Sequence, residues 1–134
     1  MKVLLVGFKA IYSIYAFITF VAIMLLIFPF SLIAGFFGRI KGGNMIMRLC
    51  MFWADLWFPL IFIRHRKIYE TAHDKNRPYI FVSNHISYLD AAIIPKAYRQ
   101  PIRPLGKAEM SKVPVFGFIY RNAIVTVNRT STAS

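Results

Sequence analysis

No charged residue occurs between Ala10 and Gly38. That run of about 29 residues is longer than the roughly 20 that a helix needs to cross the hydrocarbon core of a bilayer. Whatever this chain folds into must therefore bury, or dissolve in lipid, one very long apolar helix, which Pro29 divides. A second apolar stretch, residues 49–63, is only about 15 residues long and contains Asp55 and Pro59, so it reads as interfacial. Basic residues flank both stretches: Lys2 and Lys9 before the first, Arg39, Lys41 and Arg48 between them, and Arg64, Arg66 and Lys67 after the second. If either stretch crossed fully, one basic cluster would be left on the wrong side by the positive-inside rule. Two helices dipping into one leaflet from the basic side avoid that conflict. A single spanning anchor over residues 10–28 is the alternative that the length permits. A cleaved signal peptide fits less well, because the apolar region is too long and Lys9 interrupts its start.

The 134 residues suffice for one modest domain. A hydrophobic content of 57% and a mean hydropathy of +0.53 exceed those of an average soluble domain, which makes membrane contact the first expectation. Seventeen Lys and Arg against five Asp and Glu give a net charge of +12, suited to a phosphate-bearing partner: lipid headgroup, phosphorylated metabolite or nucleic acid. Nucleic acid is disfavoured, because the basic residues flank apolar segments and do not form a stripe interleaved with exposed aromatics. The single Cys50 rules out an internal disulfide, argues against a thiolate metal cluster, and reads as buried apolar filler.

After residue 63 the composition becomes that of a water-facing α/β domain. "RHRKIYE" reads as an edge strand and "AHDKNRP" as a polar turn; "YIFVS" (residues 79–83) has the β-branched and aromatic character of a buried strand. "LDAAIIPKAYR" reads as a helix kinked or ended near Pro95. "IRPL" is a weak strand, "AEMSKVPVFGFIYRN" mostly helical with a break at Val113–Pro114, and "AIVTV" a clear strand. This alternation predicts a mainly parallel sheet. The fold class expected is α/β: an apolar two-helix membrane-associated segment over residues 1–63, then a partial, mainly parallel sheet with helices over residues 64–134. The polar ending "RTSTAS" is expected to fray.

Between the strand and helix expected around residue 85 lies Asn84-His85-x-x-x-x-Asp90. In a regular helix a spacing of five rotates side chains by about 140°, so His85 and Asp90 would not share a face. They can meet if His85 lies in the loop and Asp90 in the first helical turn. Ser87-x-x-Asp90 has the spacing of a capping box, with Ser87 at N-cap and Asp90 at N3, which supports that placement. A carboxylate on an imidazole Nδ1–H leaves Nε2 free as a base. The bland reading is a solvated histidine beside an ordinary helix start, with Asp90 explained by capping alone. Ser83 and Ser87 fit turn and cap roles better than nucleophilic ones, and no Gly-x-Ser-x-Gly elbow is present.

"SNHISYLD" resembles the first signature block of the glycerolphosphate acyltransferase family, membrane-bound enzymes that include 1-acylglycerol-3-phosphate acyltransferases. "RPLGKAEMSKVPVFGFIYRNAIVTVNRTS" is similar to that family's second block, in which a Lys-x-Glu, a Pro-x-x-Gly and a strand-ending Arg recur. The resemblance covers roughly residues 77–131. It implies that His85 is the general base taking a proton from the acceptor hydroxyl, which attacks an acyl thioester directly. It implies that Asp90 orients His85, that Asn84 shapes the turn, that Arg129 grips the acceptor phosphate and that Lys107 assists as a point charge. The partners implied are membrane lipid, lysophosphatidate, and acyl-CoA or acyl carrier protein as co-substrate. No cofactor or metal is implied, and the location is the cytoplasmic face of a membrane, such as a bacterial inner membrane. Without the resemblance, Arg129 reads as a strand-end cation and Lys107 as a solvated helix-start residue. Asn128-Arg129-Thr130 is a glycosylation sequon that matters only in a secretory compartment.

The family's Glu-Gly-Thr-Arg block and its later apolar-Pro block do not occur in these residues. The expectation is a truncated acyltransferase domain, weakly active or inactive alone, whose last strand is left as an unpaired edge. The competing reading is a non-catalytic basic membrane anchor or interaction module.

Overall fold

The computed structural model describes residues 2–68, 70–71, 74, 76–84, 87 and 89–128. Helix α1 (Lys2–Gly35) passes through a π-helical turn (Gly38–Gly42) into helix α2 (Gly43–Leu60), and the two pack as an antiparallel hairpin. On α1, Ile23, Met24, Ile27, Ser31 and Ala34 are buried, with Ala16, Phe20 and Phe28 packed against them, at the three- and four-residue spacing of one helical face. The opposite face is apolar as well: Phe17, Ile18, Leu25, Leu26, Phe30 and Ile33 are exposed. Residues 3–35 form one helix long and apolar enough to cross a membrane, with a mean hydropathy of 2.6 and only 22% of its most apolar window buried.

Tyrosines on α1 satisfy the last carbonyls of α2, which have no acceptor role within their own helix. Tyr12 Oη donates to the Ile61 carbonyl at 2.8 Å and Tyr15 Oη to that of Leu60 at 2.9 Å. The chain leaves α2 through a Schellman arrangement, Ile63 N–H to the Phe58 carbonyl (2.9 Å) and Phe62 N–H to that of Pro59 (3.0 Å), with Phe62 in the left-handed region at φ 59°. Within the hairpin, Trp57 Nε1 donates to the Ala16 carbonyl (3.0 Å) and to Thr19 Oγ1 (3.2 Å), while Phe20 stacks between Trp53 and Trp57. Trp53 Nε1 is buried without a hydrogen-bond partner. Cys50 is half-buried, and burial pushes its thiol up to about 12, in keeping with its expected role as filler.

The other side of α2 carries the remaining elements. Helix α3 (Asp90–Tyr98) and helix α4 (Phe116–Ala123) both rest on it, and Ile119 and Ala123 join the same core as Ile46, Met47 and Phe58. Residues on both sides of position 63 thus share one apolar core. Asp55, out of place in an apolar stretch by sequence, is explained by α3: Lys96 Nζ donates to its Oδ1 at 2.6 Å, and Arg99 forks onto both oxygens at 2.5 and 2.9 Å. Arg99 ends α3 at φ 54°, so the helix runs through Pro95 before stopping.

Strand β1 (Leu105–Lys107) pairs in parallel with strand β2 (Val125–Val127), in register Leu105↔Val125, Gly106↔Thr126 and Lys107↔Val127. A 3₁₀ turn (Ala108–Lys112) and α4 connect them, with the expected break at residues 113–115. The parallel pairing, the strand near 125 and the helix after residue 89 agree with the sequence reading. Four expectations need correction. Of the weak strand expected at residues 102–105 only Leu105 lies in β1, and of the strand expected at residues 123–127 only 125–127 join the ladder, with Ala123 ending α4. Residues 79–83 are not a buried strand: Ile80 and Val82 are 94% and 90% exposed, and Phe81 stacks on Tyr98 of α3 with ring centroids 4.1 Å apart. Residues 64–68 of the expected edge strand are likewise irregular. β-propensity describes a side-chain pattern that fits a pleated surface, and a strand forms only where a ladder receives it.

Two tests follow from this packing. Trp57→Phe, which keeps the ring and loses the donor, should lower unfolding stability in detergent micelles by about 1 kcal/mol; Trp53→Phe should cost less than Trp57→Phe, since it removes an orphan donor. For Asp55, burial opposes ionisation, but the hydrogen bonds and charges of Lys96 and Arg99 outweigh it and hold the carboxyl below its usual range. Its contribution is therefore complete above about pH 3.9 and lost as pH falls through the lower folded-state value. Asp55→Asn should destabilise the neutral-pH fold by about 1 kcal/mol and flatten that acid limb in a pH-resolved melt.

Candidate active site

Ser87 and Asp90 make the reciprocal bonds of a capping box, but in a turn ahead of α3, whose N-cap position is Leu89 without a side-chain cap, so Asp90 opens the helix and does not stand at N3 as expected. Ser87 N–H donates to Asp90 Oδ2 at 2.9 Å, Leu89 N–H to Ser87 Oγ at 3.1 Å, and Asp90 N–H to the Ser87 carbonyl at 3.1 Å. Two otherwise orphaned backbone donors are satisfied, and a carboxylate sits at the positive end of α3. Leu89, Ala92 and Ile93 pack against the core while Lys96 and Arg99 hold Asp55, so α2 fixes the first turn of α3 and with it Asp90. Asp90 is half-buried, and Asn84 is exposed just before the turn. His85 and Arg129 lie outside the described residues.

Lys107 stands elsewhere, at the C-terminal end of β1, exposed, with an extended backbone (φ −68°, ψ 134°) that leads into the 3₁₀ turn. Register puts it beside Val127, so Asn128 leaves β2 at the same edge of the ladder. Open α/β sheets bind ligands at the carboxyl ends of their strands, and this is that edge. The structure thus gives Asp90 and Lys107 different supports, α2 for one and the β1–β2 ladder for the other.

The second sequence block has a structural rationale. Lys107-x-Glu109 spans the end of β1 and the start of the 3₁₀ turn, and Ser111 Oγ donates to the Ala108 carbonyl at 2.5 Å. Pro114-x-x-Gly117 is the entry to α4: Val115 adopts φ 62°, ψ −61°, a γ-turn closed by Phe116 N–H on the Pro114 carbonyl at 2.6 Å. Gly117 then presses so close to the Ser111 carbonyl that a Cβ there would overlap it. At Gly106 a Cβ would overlap the Tyr120 hydroxyl. Tyr120 is buried, and burial together with the Glu109 charge raises its phenol above its ordinary range.

Sequence reasoning missed two basic hollows. One, of about 490 Å³, is lined by Phe58, Pro59, Ile63, Arg64, His65, Arg66 and Lys96. His65 stacks on Phe58 there, and burial, reinforced by Lys67, Lys96 and Arg99, holds its imidazole below the ordinary range. Those cations oppose proton uptake and favour the neutral imidazole. The other hollow, of about 350 Å³, is lined by Arg39, Asn44, Arg103, Arg121 and Asn122 among others. Its residues come from five parts of the fold spread between positions 39 and 125, so no local pattern announces it. Among the described residues, no three His, Cys, Asp or Glu side chains converge as a metal site would require.

A family model described as Acyltransferase matches residues 63–134, more than half the chain. The match takes in α3, both strands and every candidate residue named above. No curated protein and no solved structure matches.

Gly106→Ala should destabilise the chain by about 1–3 kcal/mol, the usual range for overpacking. In hydrogen exchange, the amides of residues 105–107 should lose protection before those of α2 if the clash acts on the ladder.

Proposed function

We propose, on the premise that the chain belongs to the acyltransferase family, that it is a membrane-associated O-acyltransferase moving a fatty acyl group from an acyl thioester to the hydroxyl of a lysophosphatidate. In this reading His85 removes the hydroxyl proton as the oxygen attacks the thioester carbonyl. The tetrahedral intermediate collapses, the C–S bond breaks, and the thiolate takes the proton back from the imidazolium. The products are the new ester and the free thiol of coenzyme A or acyl carrier protein. Asp90 orients the imidazole and stabilises its cationic form. Arg129 and Lys107 hold the acceptor phosphate, the first as a planar fork and the second as a point charge.

The observation that carries this reading is the family match over a segment that contains Asn84-His85-x-x-x-x-Asp90 and Lys107 through Arg129 in order. The anchored position of Asp90 adds support, because a carboxylate fixed by Ser87 N–H at a helix start is preorganised to hold a neighbouring ring. The apolar outer face of α1 suits a lipid-soluble substrate, since it would place the chain where lysophosphatidate resides. A hairpin lying along the cytoplasmic face would bring the basic residues at both its ends to the anionic headgroups.

Purified chain in phosphatidylcholine vesicles, given radiolabelled acyl-CoA or acyl carrier protein thioester and lysophosphatidate, should form labelled phosphatidate. His85→Ala should lower that rate by about 10²–10⁴-fold with vesicle binding intact. Equal product from the variant would overturn the reading.

A further inference from the structure

The hollow of about 350 Å³ lies at the opposite edge of the ladder from Lys107. Its walls come from the π-helical turn (Arg39, Ile40), the start of α2 (Asn44), the segment before β1 (Pro101, Arg103), the end of α4 (Arg121, Asn122) and the start of β2 (Ile124, Val125). Among the described residues, Arg39, Arg103 and Arg121 line it and no Asp or Glu does. Arg103 is held in place: Nη2 donates to Asn44 Oδ1 at 2.7 Å and to the Ile40 carbonyl at 3.3 Å, and Nη1 to the Ile102 carbonyl at 3.0 Å. Its guanidinium is thus half-buried and oriented by neutral acceptors alone. Three like charges in one concavity repel, and the arrangement becomes favourable when an anion enters.

We propose that this cavity binds the phosphate of a phosphate monoester, through the guanidiniums of Arg39, Arg103 and Arg121 with the Asn122 amide beside them. Guanidinium forks match tetrahedral oxyanions, and the volume accommodates a small headgroup. The source of the phosphate is either a lipid headgroup or a soluble ester. The surroundings favour the lipid: Phe36, Phe37 and Ile40, at the tip of the hairpin beside Arg39, are 91%, 56% and 77% exposed. An apolar tip next to an arginine-lined hollow would admit a headgroup while its acyl chains stay on the apolar side. Each of the two strands is three residues long, so this site and the Lys107 edge are about 10 Å apart along the ladder. The inference does not depend on acyl transfer.

The test uses the full chain in dodecylmaltoside micelles, titrated calorimetrically with dihexanoylphosphatidate, dihexanoylphosphatidylcholine and inorganic phosphate. Because the acceptor site proposed above would also take a phosphate, titrations are run in the unaltered chain and in the double variant Lys107→Gln, Arg129→Gln. Saturable binding of dihexanoylphosphatidate should persist in the double variant and weaken about tenfold or more when Arg39→Gln or Arg121→Gln is added. Both of those side chains are exposed, so neither change endangers folding as Arg103→Gln would. Phosphatidate binding at least about tenfold tighter than inorganic phosphate assigns the site to lipid, and equal affinities assign it to soluble phosphate esters. The proposal is overturned by no saturable binding of either phosphate, by binding indifferent to Arg39 and Arg121, by equal binding of the phosphatidylcholine, or by complete loss in the double variant.

Discussion

Everything else in this molecule rests on α2 having two partners. Its one side is filled by α1, through Phe20, Trp53 and Trp57 and the tyrosine hydroxyls that close its carbonyl end. Its other side receives α3 and α4. A helix of 18 residues with Asp55 inside an apolar stretch would be a poor companion for a bilayer, where an unpaired carboxylate is expensive. Lys96 and Arg99 resolve the difficulty by turning that carboxylate into the joint between hairpin and α3. The outer face of α1 is the surface left apolar, and a lipid phase would cover it in the manner of a helix lying along, or passing through, a membrane.

The same joint controls the candidate site. Asp90 begins α3, so its position follows from where α3 is pinned, nine residues further on, by Arg99 and, nearer, by Leu89 and Ile93. Capping and catalysis make compatible demands on this carboxylate. Oδ2 accepts the Ser87 N–H, which fixes the group's orientation, and a fixed carboxylate is what an orienting partner for an imidazole needs to be. The bland reading of Ser87-x-x-Asp90 as a helix start and the functional one are therefore not exclusive: the cap is the means of preorganisation.

What could be read from the residues was what short-range chemistry determines. The reciprocal Ser87–Asp90 bonds, the break at Val113–Pro114 and the strand near 125 each have a cause within a few residues, although α3 has its N-cap at Leu89 and β2 covers only 125–127 of the expected 123–127. Residues 79–83 carry as good a strand pattern as 123–127, yet Ile80 and Val82 are open to solvent, because pairing depends on a neighbour and not on the segment. The family's blocks were legible as blocks, and the tightness at Gly117 and Gly106 gives them a steric cause, but no spacing rule foretells that Tyr120 will cover β1. Arg103 was invisible for the same reason: its partners Ile40 and Asn44 lie about sixty positions away.

Charge completes the account. Of the five acidic residues, Asp55 joins α3 to the hairpin, Asp90 accepts the Ser87 N–H where α3 starts, Asp74 meets Arg77 at 3.6 Å on the surface, Glu109 raises the Tyr120 phenol by its charge, and Glu70 is exposed. Seventeen basic residues thus far outnumber the carboxylates, and the surplus is not spread evenly. It gathers at the ends of the hairpin and at both edges of the ladder, with Lys107 at one and Arg39, Arg103 and Arg121 at the other. A field of that shape would draw phosphate-bearing molecules to the apolar helix, and on the two proposals made above it would hold two of them apart along one short sheet. If the acceptor and product are both anionic lipids, as proposed, such a division would leave the Lys107 edge open to the substrate while a headgroup occupied the hairpin edge.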